Sequence, residues 1–238
     1  HTIKKQEYNR DLLKEMINLK IRMIDYEVLK NHNGRRILGF GRYAGIIGAY
    51  NGLLTYGLKK ELYVLKPAYK CFNRLQMEEE LKNIKLTNEK ILITGKGRVG
   101  KGILETINLL GFREVGIHDF LNSEFDYPVF LNIDVMDYND RIDGSQANFN
   151  DFINNPLEYK SSFMKYAKHA DIYIAGHYYG SGAPYLFTRN DVKSLDFNIS
   201  VVADVSCDID GPVATTIRSS IITDPIYGYN PVTEKEDD

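Results

Sequence analysis

Apolar residues recur at helical spacing near the start of the chain. Leu12, Leu13, Met16 and Ile17 share one face of residues 9–19, with Arg10, Lys14 and Glu15 outside it. That spacing predicts an amphipathic helix. Ile21 to Leu29 is rich in branched and aromatic side chains and predicts a strand. Asn31-His32-Asn33-Gly34 predicts a turn, because Asn and Gly accept positive φ cheaply, and Arg35 to Phe40 returns as a second strand. Residues 21–40 are therefore expected to form a β-hairpin. Residues 41–60 hold few polar groups, and Gly45, Gly48 and Gly52 line one face. Glycine weakens a helix, but such a stripe lets another backbone approach closely. A second helix is expected from Pro67, a favourable first helical residue, to Asn83. Glu78-Glu79-Glu80 marks it as an exposed linker.

From Lys90 the pattern changes to short apolar runs alternating with helical periods. Lys90–Thr94 reads as a strand and Gly95–Gly100 as a glycine loop. Val99–Leu110 reads as a helix with Ile103, Leu104, Ile107 and Leu110 on one face, stopped by Gly111. Further strands are expected at Glu114–His118, Val129–Ile133, Asp171–Ala175 and Ile199–Asp204. Helices are expected at Pro156–Lys168 and Thr188–Leu195. The remainder of 120–155 reads as irregular, and the tail Glu234–Asp238 as frayed. Alternating β and α with mostly apolar strands predicts a parallel sheet covered on both faces.

Composition narrows the function classes. Among 238 residues, 43% are apolar and 26% charged, which is ordinary for a folded globular chain. Thirty basic against 32 acidic residues give a net charge of −2 and no general basic footprint for nucleic acid. No apolar run approaches the ~20 residues that span a bilayer. Cys71 and Cys207 are too few for a disulfide framework or a zinc site, so no metal is expected. These features suit a reduced, cytoplasmic protein. The chain opens with His1 and shows no signal-peptide pattern, as a piece of a longer protein would.

The sharpest local signal is Gly95-Lys96-Gly97-Arg98-Val99-Gly100, which fits G-x-G-x-x-G between an expected strand and helix. Gly95 permits the tight turn, Gly97 lets backbone approach a pyrophosphate, and Gly100 lets helix and strand pack closely. The helix N-terminus then offers free N–H groups to phosphates. Asp119 follows about 20 residues later, at the end of the next expected strand, where a carboxylate accepts ribose hydroxyls and repels the extra phosphate of NADP. NAD is the expected cofactor, although Arg113 and His118 could soften that repulsion. A second acidic cluster, Asp204, Asp208 and Asp210, follows a strand end, where open α/β sheets place ligands. Capping of the next segment is an equally good reading for each. His177 also follows a strand end and reads either as a crevice residue or as a satisfied loop histidine. The sequon Asn198-Ile199-Ser200 enters an expected core strand and is discounted.

His1-Thr2-Ile3-Lys4-Lys5-Gln6, Ile24-Asp25-Tyr26-Glu27, Gly39–Gly45 and Ala203–Gly211 resemble the alanine dehydrogenase and lysine-forming saccharopine dehydrogenase superfamily. The texture is nearest to the lysine–ketoglutarate reductase domain. Asn155–Tyr159 and Leu186–Arg189 fit it too. The resemblance implies two Rossmann-like domains with a cleft between them, the first incomplete here. Residues 1–66 would belong to the substrate domain, 67–224 to a linker helix and the NAD-binding domain, and 225–238 to a segment returning to the first. It further implies that His1 is a catalytic acid/base group with Glu27 beside it, and that Lys4 and Gln6 meet the substrate. Arg36, next to Arg35, would lie near the cofactor phosphates, and Asp204 would be an active-site aspartate. Gly95, Gly97, Arg98, Val99 and Gly100 would hold the dinucleotide.

The expected chemistry is hydride transfer between nicotinamide and the imine of lysine and 2-oxoglutarate. Small-molecule substrates and a homo-oligomer are the expected partners, with neither nucleic acid nor membrane. In the superfamily a catalytic lysine precedes this histidine, so these 238 residues alone are expected to bind NAD(H) without turnover. Alanine dehydrogenase is the competing enzyme reading; Ser206-Cys207-Asp208 favours the saccharopine branch. A dinucleotide-binding regulatory protein is the competing reading from another class.

Overall fold

The computed structural model describes residues 7–34, 36–180 and 182–237. Contacts divide the chain into two compact units, residues 1–40 and 41–238.

In the first unit, α1 (Arg10–Asn18) forms where the periodicity predicts it, with the apolar face of Leu12, Leu13 and Ile17 exposed. Among the described residues of 21–40 the expected hairpin does not form: Tyr26–Val28 is a 3-10 turn, and one bridge, Lys30 to Arg36, closes the loop. The Asn31–Gly34 turn is as read: Gly34 N–H donates to Asn31 O at 2.9 Å, and Gly34 has φ +72°. A lone two-stranded ribbon is marginal in water. Local bonds such as Val28 N–H to Asp25 O win instead.

The second unit holds the remaining helices: α2 (Gly41–Lys59), α3 (Arg74–Glu80), α4 (Arg98–Leu109), α5 (Ile117–Asn122), α6 (Phe149–Asn154), α7 (Met164–Ala167) and α8 (Arg189–Val192). Its strands are β1 (Lys90–Thr94), β2 (Arg113–Glu114), β3 (Val129–Ile133), β4 (Asn139–Arg141), β5 (Tyr159–Ser161), β6 (Ile172–Ala175), β7 (Val201–Asp204), β8 (Gly228–Asn230) and β9 (Lys235–Asp237). Five of them make one parallel sheet in the order β2-β3-β1-β6-β7. Side chains alternate across it, as strand geometry requires. Ile91 and Ile93 pack with Tyr50, Leu53, Ile103 and Ile107 of α2 and α4. Leu92 packs on the other face with Phe120, Leu131, Phe163 and Tyr173. This is the Rossmann-like α/β layering expected of apolar strands buried on both sides.

The glycine stripe of α2 has the packing use the sequence suggests. A Cβ on Gly45 would lie 2.1 Å from Val99 O, one on Gly48 2.2 Å from Val205 Cγ2, and one on Gly52 2.9 Å from Ala203 Cβ. The helix thus lies directly against α4 and β7.

Four expectations are corrected. The 67–83 helix is broken: a 3-10 turn covers Ala68–Lys70, and α3 starts only after Asn73, whose side chain accepts Gln76 N–H at 3.0 Å. An N-cap hydrogen bond of this kind outcompetes continuation from Pro67. Met77 and Leu81 of this segment join the core. The 156–168 helix gives way to a 3-10 turn, β5 and α7. Tyr159 stacks edge-on against Phe152 at 5.1 Å and bonds Asp151, which holds the chain extended. The strand at 114–118 stops at Glu114, and α5 begins at Ile117. Residues 235–237 pair with 228–230, and Glu234 and Glu236 bond Arg189 and Arg218, so this part of the tail is held.

Candidate functional site

The carboxyl edge of the parallel sheet gathers the chemistry-bearing residues of the second unit. At its centre, β1 ends at Thr94 and turns sharply at Gly95, whose φ is +95°. A Cβ there would lie 2.4 Å from Gly176 O, and one on Gly100 would lie 1.9 Å from Gly95 O. Both contacts are with backbone, which cannot step aside. These glycines therefore set the closeness of strand, turn and helix. Gly97 differs: a Cβ on it meets nothing within 4 Å. It is the N-cap of α4 at φ −79°, with no side chain capping the helix. The first N–H groups of a twelve-residue helix thus have no side-chain cap beside an exposed Gly97. Lys96 and Arg98 flank it and are also exposed, whereas Val99 is half-buried against the core.

Next to this turn, a buried polar chain links β1 and β6. The Thr94 hydroxyl lies 2.8 Å from Tyr173 OH and 3.0 Å from His177 Nδ1. His177 is only 8% exposed, and its Nε2 has no partner among the described residues. Burial holds its pKa down to about 4, against a weaker upward pull from Asp204. The imidazole is therefore neutral at pH 7. His177 is thus no fully satisfied loop histidine: its Nδ1 meets Thr94, and its Nε2 has no partner among the described residues.

Asp204 ends β7 and accepts four hydrogen bonds. Its Oδ1 receives Ser206 N–H at 3.0 Å, Ser206 Oγ–H at 2.6 Å and Cys207 N–H at 3.2 Å; its Oδ2 receives Thr216 Oγ–H at 2.6 Å. It folds the following loop, in which Cys207 and Asp210 adopt positive φ. Asp210 pairs with Arg189 at 2.6 Å, and Asp208 is exposed. The capping alternative thus describes Asp204 well, whereas the Asp210 side chain serves an ion pair. Among the described residues, no trio of His, Cys, Asp or Glu is placed to hold a metal ion.

Asp119 lies in the first turn of α5, 61% exposed, with its Oδ1 3.4 Å from His118 Nδ1. It does not end a strand, and β2 before it is the outer strand of the sheet. The strand next to β1 is β3. Asp134, which follows β3, is a residue that sequence reasoning missed. The signal for it was there: Asp134 directly follows an apolar strand, the same pattern that drew attention to Asp204. His1, Lys4 and Gln6 lie outside the described residues. Glu27, in the 3-10 turn, and Arg36, across the bridge from Lys30, belong to the first unit.

A dinucleotide suits this edge. It has a glycine cradle with open space at Gly97, an uncapped helix N-terminus, and two buried polar atoms without partners among the described residues, His177 Nε2 and Asn132 Oδ1. The parallel sheet and the layers that cover it make this a Rossmann-like α/β fold. Its homologues are alpha-aminoadipic semialdehyde synthases and a saccharopine dehydrogenase, the superfamily that the sequence motifs resemble. The mitochondrial alpha-aminoadipic semialdehyde synthase of Mus musculus is 26% identical over 97% of this chain and 29% of its own length. The alpha-aminoadipic semialdehyde synthase of Arabidopsis thaliana is 23% identical over 97% of this chain and 25% of its own length. The NAD(+), L-lysine-forming saccharopine dehydrogenase of Candida glabrata is 32% identical over 49% of this chain and 34% of its own length. No protein-family model matches. The chain thus spans well under half the length of each of these relatives. Among the described residues, no helix is long and apolar enough to cross a membrane.

Proposed function

We propose that this chain is the dinucleotide-holding part of an NAD(H)-dependent oxidoreductase of lysine metabolism, of the saccharopine-forming lysine–ketoglutarate reductase type. The observation that carries this reading is the glycine cradle at Gly95–Gly100, on a chain whose homologues are named for saccharopine and aminoadipic semialdehyde chemistry. When bound, the nicotinamide would exchange a hydride with the imine of lysine and 2-oxoglutarate. The backbone N–H groups at the start of α4 would hold the pyrophosphate. Thr94, Tyr173 and His177 stiffen the turn that presents them. Asp204, with four donors on its carboxylate, positions the loop after β7.

Imine formation needs proton transfer by groups that titrate near neutrality. His177 is unsuited, being buried with a pKa near 4. The acid/base role stays with His1, tuned by Glu27; Lys4 and Gln6 meet the substrate, and Arg36 serves the phosphates. The cytoplasmic setting belongs to the same proposal and rests on the free thiols Cys71 and Cys207.

The test is a substrate panel on the full-length gene product, following NADH with lysine plus 2-oxoglutarate and, separately, pyruvate plus ammonia. Oxidation only with the first pair is expected. Oxidation only with the second would make it an alanine dehydrogenase, and NADH binding without turnover in either would make it a regulatory protein.

The cradle itself is tested by Gly97→Ala. Its backbone conformation accepts alanine and no atom stands in the way. The melting temperature is expected to hold, while NADH affinity falls roughly tenfold or more, because the methyl group occupies the pyrophosphate approach. Unchanged affinity in titration calorimetry would remove Gly97 from the site.

A further inference from the structure

We propose that Asp134, rather than Asp119, receives the adenosine ribose hydroxyls and sets the preference for NAD(H) over NADP(H). This rests on the dinucleotide reading above and concerns which carboxylate completes that site.

Strand order separates the two carboxylates. In the 3-2-1-4-5-6 arrangement of dinucleotide folds, the strand that follows the glycine-loop helix lies beside the first strand. The acid at its end therefore sits next to the glycine turn. Here that helix, α4, leads to β2, a two-residue strand at the outer edge of the sheet. The place beside β1 is taken by β3, in register from Lys90–Val129 to Thr94–Ile133. The ladder continues into the turn, since Gly95 N–H donates to Ile133 O at 2.9 Å. The residue after Ile133 is Asp134. It is thus joined by one hydrogen-bonded step to the first glycine of the cradle. Asp119 follows a strand lying one further place away, on the order of 10 Å from β1 at the usual strand spacing.

The state of Asp134 suits the role. Its side chain is exposed at the carboxyl edge. Its Oδ1 accepts Val135 N–H at 2.8 Å, and its own N–H donates to Asp137 Oδ2 at 2.7 Å. The residue caps the 3-10 turn Val135–Asp137, so its position is set before any ligand arrives. A fixed, exposed carboxylate accepts two ribose hydroxyls and repels a phosphate placed on one of them.

The experiment titrates the 238-residue chain with NADH and NADPH, by calorimetry and by nucleotide fluorescence. Asp134→Asn and Asp134→Ser both keep a side chain able to cap the turn, and thermal melts check that both fold. Each is expected to weaken NADH binding roughly ten- to a hundredfold, the worth of a hydrogen bond to a charged group, and to narrow the gap to NADPH. Asp119→Asn is expected to change neither affinity. Loss in Asp119→Asn, or no change in the Asp134 variants, would overturn the assignment, as would an unsubstituted chain that prefers NADPH. An unsubstituted chain that binds neither nucleotide would instead overturn the dinucleotide reading, and the assignment with it.

Discussion

Replacing Gly45 by valine is expected to cost the protein about 3 kcal/mol or more, the upper end for overpacking. The reason is the identity of the atoms that meet. A Cβ on Gly45 would stand 2.1 Å from Val99 O and 2.9 Å from Ile103 N, both in the backbone of α4. A flexible side chain could rotate away; a helix backbone can move only as a body. Moving α4 away from α2 would open the contact between Ile46, Tyr50 and Leu53 on one side and Ile103 and Ile107 on the other. For a domain of this size the loss corresponds to a melting temperature roughly 6–12 °C lower. Gly97→Ala serves as the matched control, because its Cβ meets nothing within 4 Å. Thermal unfolding of the two variants side by side decides the matter. Equal melting temperatures would show that α2 and α4 do not approach at Gly45. Val99 and Gly100 share the affected turn of α4, so NADH affinity should fall with stability in Gly45→Val, whereas in Gly97→Ala it should fall alone.

The elements that the sequence announced most clearly are those whose pattern and packing agree. The β1–glycine loop–α4 unit was legible because the apolar run Lys90–Thr94, the glycines and the face of Ile103 and Ile107 all demand one arrangement. The α2 helix was legible against its own propensity, because Gly45, Gly48 and Gly52 make sense only as a contact stripe. The misreadings occur where a local hydrogen bond or tertiary pairing overrides periodicity. Asn73 caps α3 and breaks a longer helical period. Tyr159 is drawn into an edge-on contact with Phe152, and helix becomes strand. The 21–40 segment has strand-forming residues, but among its described residues only the Lys30–Arg36 bridge pairs them. Asp119 stands out by its distance along the chain, a criterion that holds only where consecutive strands are neighbours. The sheet order β2-β3-β1 breaks that condition, and sequence spacing carries no information about it. The buried chain Thr94–Tyr173–His177 was illegible for a related reason, since its members meet only when β1 and β6 pair.

That buried chain predicts a pH dependence. Burial lowers the His177 pKa from 6.5 to about 4. A group whose folded pKa is depressed binds fewer protons in the folded state than in the unfolded one between those two values. Stability is then full above about pH 6.5, falls as the pH drops towards 4, and levels off below. The loss attributable to this residue is roughly 3 kcal/mol. Other groups contribute in the same range: His169 is also lowered, first by burial and then by Lys90, and several paired carboxylates lose their partners in acid. The comparison that isolates His177 is therefore with His177→Gln, which leaves those groups in place and keeps an atom able to bond Thr94. Urea unfolding at a series of pH values should show the wild-type advantage over His177→Gln shrinking by about 3 kcal/mol between pH 7 and pH 4. Parallel curves would mean that His177 is solvated in the folded protein. The same titration should reach the cradle before the chain unfolds. His177 Nδ1 lies 3.0 Å from Thr94 Oγ1, and Thr94 is the residue before the Gly95 turn. Charging the ring draws water into a site where Tyr173 is fully buried, and this loosens the turn that presents the α4 N-terminus. NADH affinity is thus expected to decline across the acid limb in wild type and to stay flatter in His177→Gln.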